Sequence, residues 1–165
     1  VTTAPLEIER RFLVARLPDL EGAVPAAIRQ GYLSWPGDRV ELRLRRSGDA
    51  CFLTLKSGSG LAREEREAAI DQAAFETFWP ATEGRRIEKT RWTGWLAEGR
   101  VFELDLFEGA HAPLRIVEVE FESVAAAEAF APPDWFGAEV TGNPAYSNRV
   151  MSVEGVPSDA GPTRT

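Results

Sequence analysis

Glu7-Ile8-Glu9-Arg10-Arg11-Phe12-Leu13-Val14 alternates, residue by residue, between two kinds of surface. In a strand, successive side chains point to opposite faces, and residues two apart lie roughly 6.6 Å from each other on one side. Glu7, Glu9 and Arg11 therefore share one face, and Ile8, Arg10 and Phe12 share the other. Two carboxylates at this spacing can converge on one divalent cation, because hard cations such as Mg²⁺ and Mn²⁺ take oxygen ligands. A cation two residues further on can hold an anion beside that metal. The plain alternative is a strand with solvated surface charges, and so short a motif does not separate the two.

The same pattern recurs outward along the chain. Arg43 and Arg45 share a face against Leu42 and Leu44; Thr54 and Lys56 share one against Leu53 and Leu55. Arg63, Glu65 and Glu67 fall together, as do Lys89 and Arg91. Glu103 and Asp105 oppose Phe102, Leu104 and Leu106, and Glu118 and Glu120 oppose Val117, Val119 and Phe121. A sheet with an apolar core face and a charged outer face, laced by cross-strand ion pairs, would read this way too. Two details weigh against it. The face opposite the charges carries Arg10, Glu64, Arg66, Glu88 and Thr90, which suits an outer surface partly covered by helices better than a core. The signs are also sorted by strand: Arg43, Arg45, Lys56, Lys89 and Arg91 are basic, whereas Glu103, Asp105, Glu118 and Glu120 are acidic. A site for a polyanion with divalent metals needs both sets.

Strands are expected over 6–14, 28–35, 39–46, 51–56, 62–70, 83–95, 100–107 and 114–122, with turns at Pro36-Gly37-Asp38, Ser47-Gly48-Asp49 and Ser57-Gly58-Ser59-Gly60. Short helices are expected over 73–79, with Phe75, Phe78 and Trp79 as the apolar stripe; over 123–130, with Ser123 as N-cap; and over 144–153, with Asn143 as N-cap. Eight strands joined by short turns suggest an antiparallel meander able to close into a barrel. The 165 residues are expected to form one domain over 1–155, followed by a flexible tail over 156–165.

The net charge of −7 argues against general binding to nucleic acid or to an anionic membrane, while leaving room for a local basic site. A single cysteine, Cys51, excludes an intramolecular disulfide and fits a reducing compartment. No apolar run is long enough to span a membrane. The expectation is a cytoplasmic protein, a monomer or homodimer. His111, the one histidine, sits in a Gly/Ala/Pro loop and is expected to have no catalytic role. Tyr32 faces either the site or the core, and the five tryptophans are expected in packing.

Taken in order, these segments resemble the CYTH domain, the triphosphate tunnel metalloenzyme superfamily. The resemblance opens at Glu7–Val14 and runs through Gln30-Gly31-Tyr32-Leu33, Glu41-Leu42-Arg43-Leu44-Arg45, Leu53-Thr54-Leu55-Lys56 and Arg63-Glu64-Glu65-Arg66-Glu67. It continues through Glu88-Lys89-Thr90-Arg91, Glu103-Leu104-Asp105 and Val117-Glu118-Val119-Glu120-Phe121, and closes at Glu139-Val140-Thr141 with Tyr146 and Asn148. The look is that of short bacterial members that hydrolyse inorganic triphosphate. The resemblance implies a closed eight-stranded antiparallel barrel with charges inside and a few short helices outside. It implies phosphate binding by Arg11, Arg43, Arg45, Lys56, Arg63, Lys89 and Arg91. A substrate-bridging Mg²⁺ or Mn²⁺ would take Glu7, Glu9 and Glu118 or Glu120. A second, water-activating ion would take Asp105, Glu65 or Glu67 and the other member of that glutamate pair, so that Lys89, Glu65 and Asp105 are the candidates for the catalytic step. Glu103 is expected to pair with an arginine. Arg11 stands where the family usually has lysine, and the two are not equivalent toward phosphate. The alternatives are a nucleoside or thiamine triphosphatase, an adenylate cyclase, or a polyphosphate-binding module without turnover.

Overall fold

The structure, a computed structural model, describes residues 6–57 and 63–160; of Leu6 and Arg63 the backbone alone is described. The expected turn at Ser57-Gly58-Ser59-Gly60, the side chain of Arg63 and the last five residues thus lie outside the described residues.

Nine strands form one antiparallel sheet: β1 Leu6–Val14, β2 Val24–Tyr32, β3 Val40–Ser47, β4 Ala50–Ser57, β5 Arg63–Ile70, β6 Arg86–Trp95, β7 Val101–Phe107, β8 Arg115–Phe121 and β9 Phe136–Glu139. Their order is β5-β4-β3-β2-β6-β7-β8-β1-β9. β3 and β4 turn through Gly48 and Asp49, and Gly48 takes the positive φ of 58° that a two-residue hairpin loop requires. β2 starts at Val24, earlier than its alternation suggests. Pro25 is tolerated there because it lies in the first residues of the strand, where a missing N–H disturbs the ladder least. Gly31 within β2 marks a close approach: a Cβ would lie 2.5 Å from Thr82 Oγ1.

The ring closes less completely than expected. Among the described residues β1 meets β5 only at Leu6–Glu64 and Glu7–Arg63. Further along the same edge, Phe12 and Val14 pair with Glu139 and Phe136 of β9. The result is a curled sheet with a short seam rather than a fully closed eight-stranded barrel. β9 escapes sequence reading because it is short and carries Gly137, whose Cβ would stand 3.1 Å from the Leu13 carbonyl oxygen.

The alternation sorts inside from outside as the strands predict. Phe12, Phe102, Leu104, Val117, Val119 and Phe121 form an outer core beneath α2 (Val124–Ala129) and Phe136. Leu44 and Cys51 form a second under α1 (Gln72–Phe78), joined by Phe75 and Trp79. Phe78, expected in that stripe, is exposed instead. Arg10, on the outer face, grips Glu139 with two bonds of 2.7 and 2.8 Å and donates to the carbonyls of Ala127 and Phe130 at the end of α2. Arg29 and Glu88 pair on the outside as well.

Each helix begins at a side-chain cap. Asp71 accepts from Ala74 N at 2.7 Å and Ser123 from Ala126 N at 3.1 Å. The helix expected over 144–153 divides. Asn143 caps a 3₁₀ turn at Pro144–Tyr146; Ser147, with extended backbone, then caps α3, Asn148–Glu154. Residues 156–160, expected as part of a flexible tail, pack back through Val156 and Ala160, and Asp159 accepts a 2.9 Å bond from the Tyr146 hydroxyl. Among the described residues no helix is long and apolar enough to cross a membrane.

Candidate active site

The inward face of the sheet encloses a cavity of about 700 Å³. β1 supplies Glu7, Glu9 and Arg11; β3 supplies Glu41, Arg43 and Arg45; β4 and β5 supply Lys56 and Glu65. β6 supplies Lys89 and Arg91, β7 Glu103, and β8 Glu118 and Glu120. Residues separated by more than a hundred positions meet here because each sits at the inward position of its own strand.

One cluster centres on Arg91. It forks onto Asp105 with bonds of 2.7 and 2.8 Å, reaches Glu118 at 2.9 Å and pairs with Glu103, so carboxylates of two neighbouring strands are gathered by one guanidinium. Lys89 Nζ donates to Asp105 at 2.5 Å, and Arg11 Nε lies 2.8 Å from Glu118. Burial pushes the Lys89 ammonium down to about 8, although Asp105 pulls the other way. Burial resists ionisation of Glu118 too, but Arg11 and Arg91 outweigh it and hold its carboxyl well below the usual carboxylate range. Asp105 is lowered in the same manner by Arg91 and Lys89.

A second cluster centres on Lys56, whose Nζ lies 2.9 Å from Glu7 and 2.6 Å from Glu65. Burial, with a hydrogen bond shared with Glu65, raises Glu7 to about 7. In Glu65 burial acts in the same upward sense, but the bonds to Glu7 and Lys56 prevail and bring it down to about 2. Between about pH 2 and pH 7 the two carboxyls thus share one proton, which is lost as the pH rises through about 7. Arg43 lies 3.9 Å from Glu65. Arg45 grips Glu67 at 2.9 and 3.0 Å, and Thr54 donates to the same carboxylate.

Of the residues expected at the site, Asp105 and Glu67 do not line the cavity; they stand behind the cations they hold. Asp105 is buried, which is tolerated because its charge is paired, whereas Glu67 stays exposed. Glu103 pairs with Arg91 as expected. His111 is buried, with Nε2 2.8 Å from the Met151 carbonyl oxygen. Tyr32 is both core and wall: it is buried, it lines the cavity, and its hydroxyl accepts from Gln30. Sequence reading did not assign Glu41, Gln30, Arg100, Ser147 or Asn148, which also line the cavity. Glu41 had a signal, standing two residues before Arg43 on the same face. Ser147 had none, and Asn148 only its place in the closing segment of the resemblance, since both reach the site from a helix head beyond the last strand.

Several cation donors are unspent. Arg11 Nη2, Arg43 Nε and Arg45 Nε are buried without a hydrogen-bond partner among the described residues. Unmet buried donors on three arginines mark a place built for an anion. Among the described residues no three Asp, Glu, His or Cys side chains converge on a ready-made metal site. However, Glu9 and Glu120 stand directly opposite each other in the β1–β8 ladder, both toward the cavity. Facing carboxylates repel, and a Mg²⁺-type ion commonly takes one or two carboxylates and completes its shell with substrate phosphates and water. The donor set therefore fits such an ion.

An inorganic triphosphatase of Nitrosomonas europaea is 57% identical over 148 residues, 89% of this chain and 97% of that protein. This chain belongs to the inorganic triphosphatase family of the CYTH superfamily. Another inorganic triphosphatase, of Acetivibrio thermocellus, is 37% identical over 144 residues, covering 86% of this chain and 90% of that one. The crystal structure of the inorganic triphosphatase NE1496 matches with a TM-score of 0.72 and 52% identity, over 92% of this chain and 97% of that chain. A putative adenylyl cyclase of Hippeastrum, described as having a dominant triphosphatase activity, matches at TM-score 0.54 and 17% identity over 74% of this chain and 82% of that one, a likeness of fold alone. No family model matches the chain.

Proposed function

We infer that this family member hydrolyses inorganic triphosphate to diphosphate and phosphate with the help of Mg²⁺ or Mn²⁺. The observation that carries this reading is the cage itself: Arg11, Arg43, Arg45, Lys56, Lys89 and Arg91 face one cavity, three of them with unmet buried donors. Phosphoryl transfer is mostly a matter of positioning and charge stabilisation, and a triphosphate carries enough charge to engage all six.

Water attacks a terminal phosphorus, the bridging P–O bond breaks, and diphosphate leaves with the bond's electrons. The arginines bind and orient the chain and stabilise charge as it spreads over the phosphoryl oxygens. Asp105 fixes Lys89 and Arg91, and Glu65 fixes Lys56, so these two carboxylates act through the cations they hold. Lys89, near half-protonation at about pH 8, is assigned to the reacting phosphoryl group and to uptake of the proton released by water. Arg63 is assigned to the same cage on its strand position opposite Glu7. Glu7, Glu9 and Glu120 would hold the divalent cation, which when bound supplies positive charge to the phosphoryl oxygens and acidity to water. Glu7 must shed its proton for that task, so metal-dependent turnover rises as pH passes about 7.

Turnover of triphosphate, longer polyphosphate, ATP and thiamine triphosphate, each with Mg²⁺ and with Mn²⁺, tests the reading; preference for ATP or thiamine triphosphate would refute it. In metal-free buffer, triphosphate at about 100 times its Kd adds roughly 2.7 kcal/mol. At about 2–4 °C per kcal/mol this raises the melting point by roughly 5–11 °C. A shift no larger than that given by sulfate at equal ionic strength would sink the cage as a polyphosphate site.

A further inference from the structure

The cavity has one closed end. On five strands the inward position next to the last charged or polar one is apolar or aromatic: Leu13 beyond Arg11, Tyr32 beyond Gln30, Ile87 before Lys89, Phe107 beyond Asp105 and Ile116 before Glu118. These side chains pack with Tyr146 and Met151 into a buried cluster inside the sheet. At this end Ser147 and Asn148, the cap and first residue of α3, form the cavity wall. At the other end Arg100, Val101, Glu120 and Glu122 line the mouth. A linear polyanion entering by the mouth meets the head of α3 with its leading phosphoryl group.

That head is held in place. Met151 is fully buried, and its carbonyl lies 2.8 Å from His111 Nε2. Arg149 donates to the Val40 carbonyl at 3.2 Å and approaches Glu41, a cavity residue, at 3.7 Å. The Ser147 hydroxyl is occupied as acceptor for Val150 N. Asn148 differs from its neighbours: its Oδ1 is buried with no hydrogen-bond partner among the described residues. A carboxamide has an acceptor on one arm and two donors on the other. With the oxygen turned into the protein, the NH₂ arm is the one left for the cavity.

We propose that Asn148 is a specificity-determining residue that donates a hydrogen bond to the terminal phosphoryl group of the substrate, so that the cavity reads the end of a phosphate chain. The proposal rests on the triphosphate reading above and deepens it. The substrate class is a short linear polyphosphate with a free end. Cyclic trimetaphosphate has the same number of phosphorus atoms but no end to offer. Longer chains must extend outward past Glu120 and past Glu122, whose charge Arg100 balances at 3.3 Å, so the mouth offers them little net positive charge.

Calorimetric titration of the full chain in metal-free buffer, with linear triphosphate, linear tetraphosphate and cyclic trimetaphosphate, tests this without requiring turnover. Wild type should bind the linear trimer at least about tenfold tighter than the cyclic one. Asn148→Ala should lose about tenfold for the linear trimer, the scale of one hydrogen bond to a charged group, and nothing for the cyclic one. Asn148→Asp should lose more, because a carboxylate would face phosphoryl oxygens. Asn148→Ser, which keeps a polar group in the first turn of α3, serves if either variant melts early. Equal losses for linear and cyclic trimers, or unchanged affinity in the variants, would overturn the end-reading role while leaving the functional reading intact. If wild type binds no triphosphate, both fall.

Discussion

Asp105→Asn removes one charge from the most buried ion pair of the site while conserving shape. Asp105 and Lys89 are 0% and 2% exposed, and the aspartate accepts one bond from Lys89 and two from Arg91. Arg91 keeps Glu103 and Glu118 in the variant, so the loss falls on Lys89, which has no other partner of comparable distance among the described residues. Breaking a buried pair by neutralising one member costs about 3–5 kcal/mol, because the other charge stays buried alone. At about 2–4 °C per kcal/mol, the melting point should fall by roughly 6–20 °C near pH 7. The pH dependence carries a sign. The folded-state pKa of Lys89, already lowered to about 8, drops further once Asp105 is gone. Between that lower value and about pH 8 the folded variant binds fewer protons than wild type, so its stability climbs faster with pH and the deficit narrows on the alkaline side. Scanning calorimetry of both proteins across this range measures it. A drop under about 3 °C near pH 7, or a deficit that widens above pH 8, would refute the claim that Asp105 compensates a buried charged lysine.

Glu7→Gln should abolish most metal-dependent turnover yet melt higher than wild type at mildly alkaline pH. Its folded pKa of about 7 lies above the ordinary carboxylate range, so in wild type this group's contribution is present at low pH and is lost as pH rises through 7; flat melting behaviour in wild type from acid pH up to 7 would contradict the assignment. Glu67→Gln, at a partly exposed pair with Arg45, should shift stability by no more than about 1 kcal/mol, and a larger loss by denaturant titration would mean the pair is more buried in solution than its geometry indicates. Gly31→Ala should cost about 1–3 kcal/mol through the clash with Thr82, which is fully buried; a neutral result would show that the 3₁₀ turn Trp79–Thr82 shifts freely.

What the chain states by itself is the content of each strand. A side-chain period of two needs only local backbone geometry, so Glu7, Glu9 and Arg11, or Arg43 and Arg45, could be placed on one face before any partner strand was known. The sorting of charges by strand, and the presence of Arg10 and Glu88 on the opposite face, pointed to a charged interior; α1 and α2 do cover the outside, while α3 closes one end of the cavity. Pairing between strands lies beyond that reach, because register and curl are settled by contacts distant in sequence. Hence only the assembled sheet decides that Arg91 gathers Glu103, Asp105 and Glu118, that Asp105 and Glu67 stand behind their cations, and that Glu9 faces Glu120. The ninth strand follows the same rule: Gly137 carries no pattern of its own and becomes strand only because β1 offers an edge. Asn148 shows in the chain only as part of the closing segment of the resemblance; its place in the cavity is settled when Met151 and Tyr146 seat the helix head against side chains from other strands.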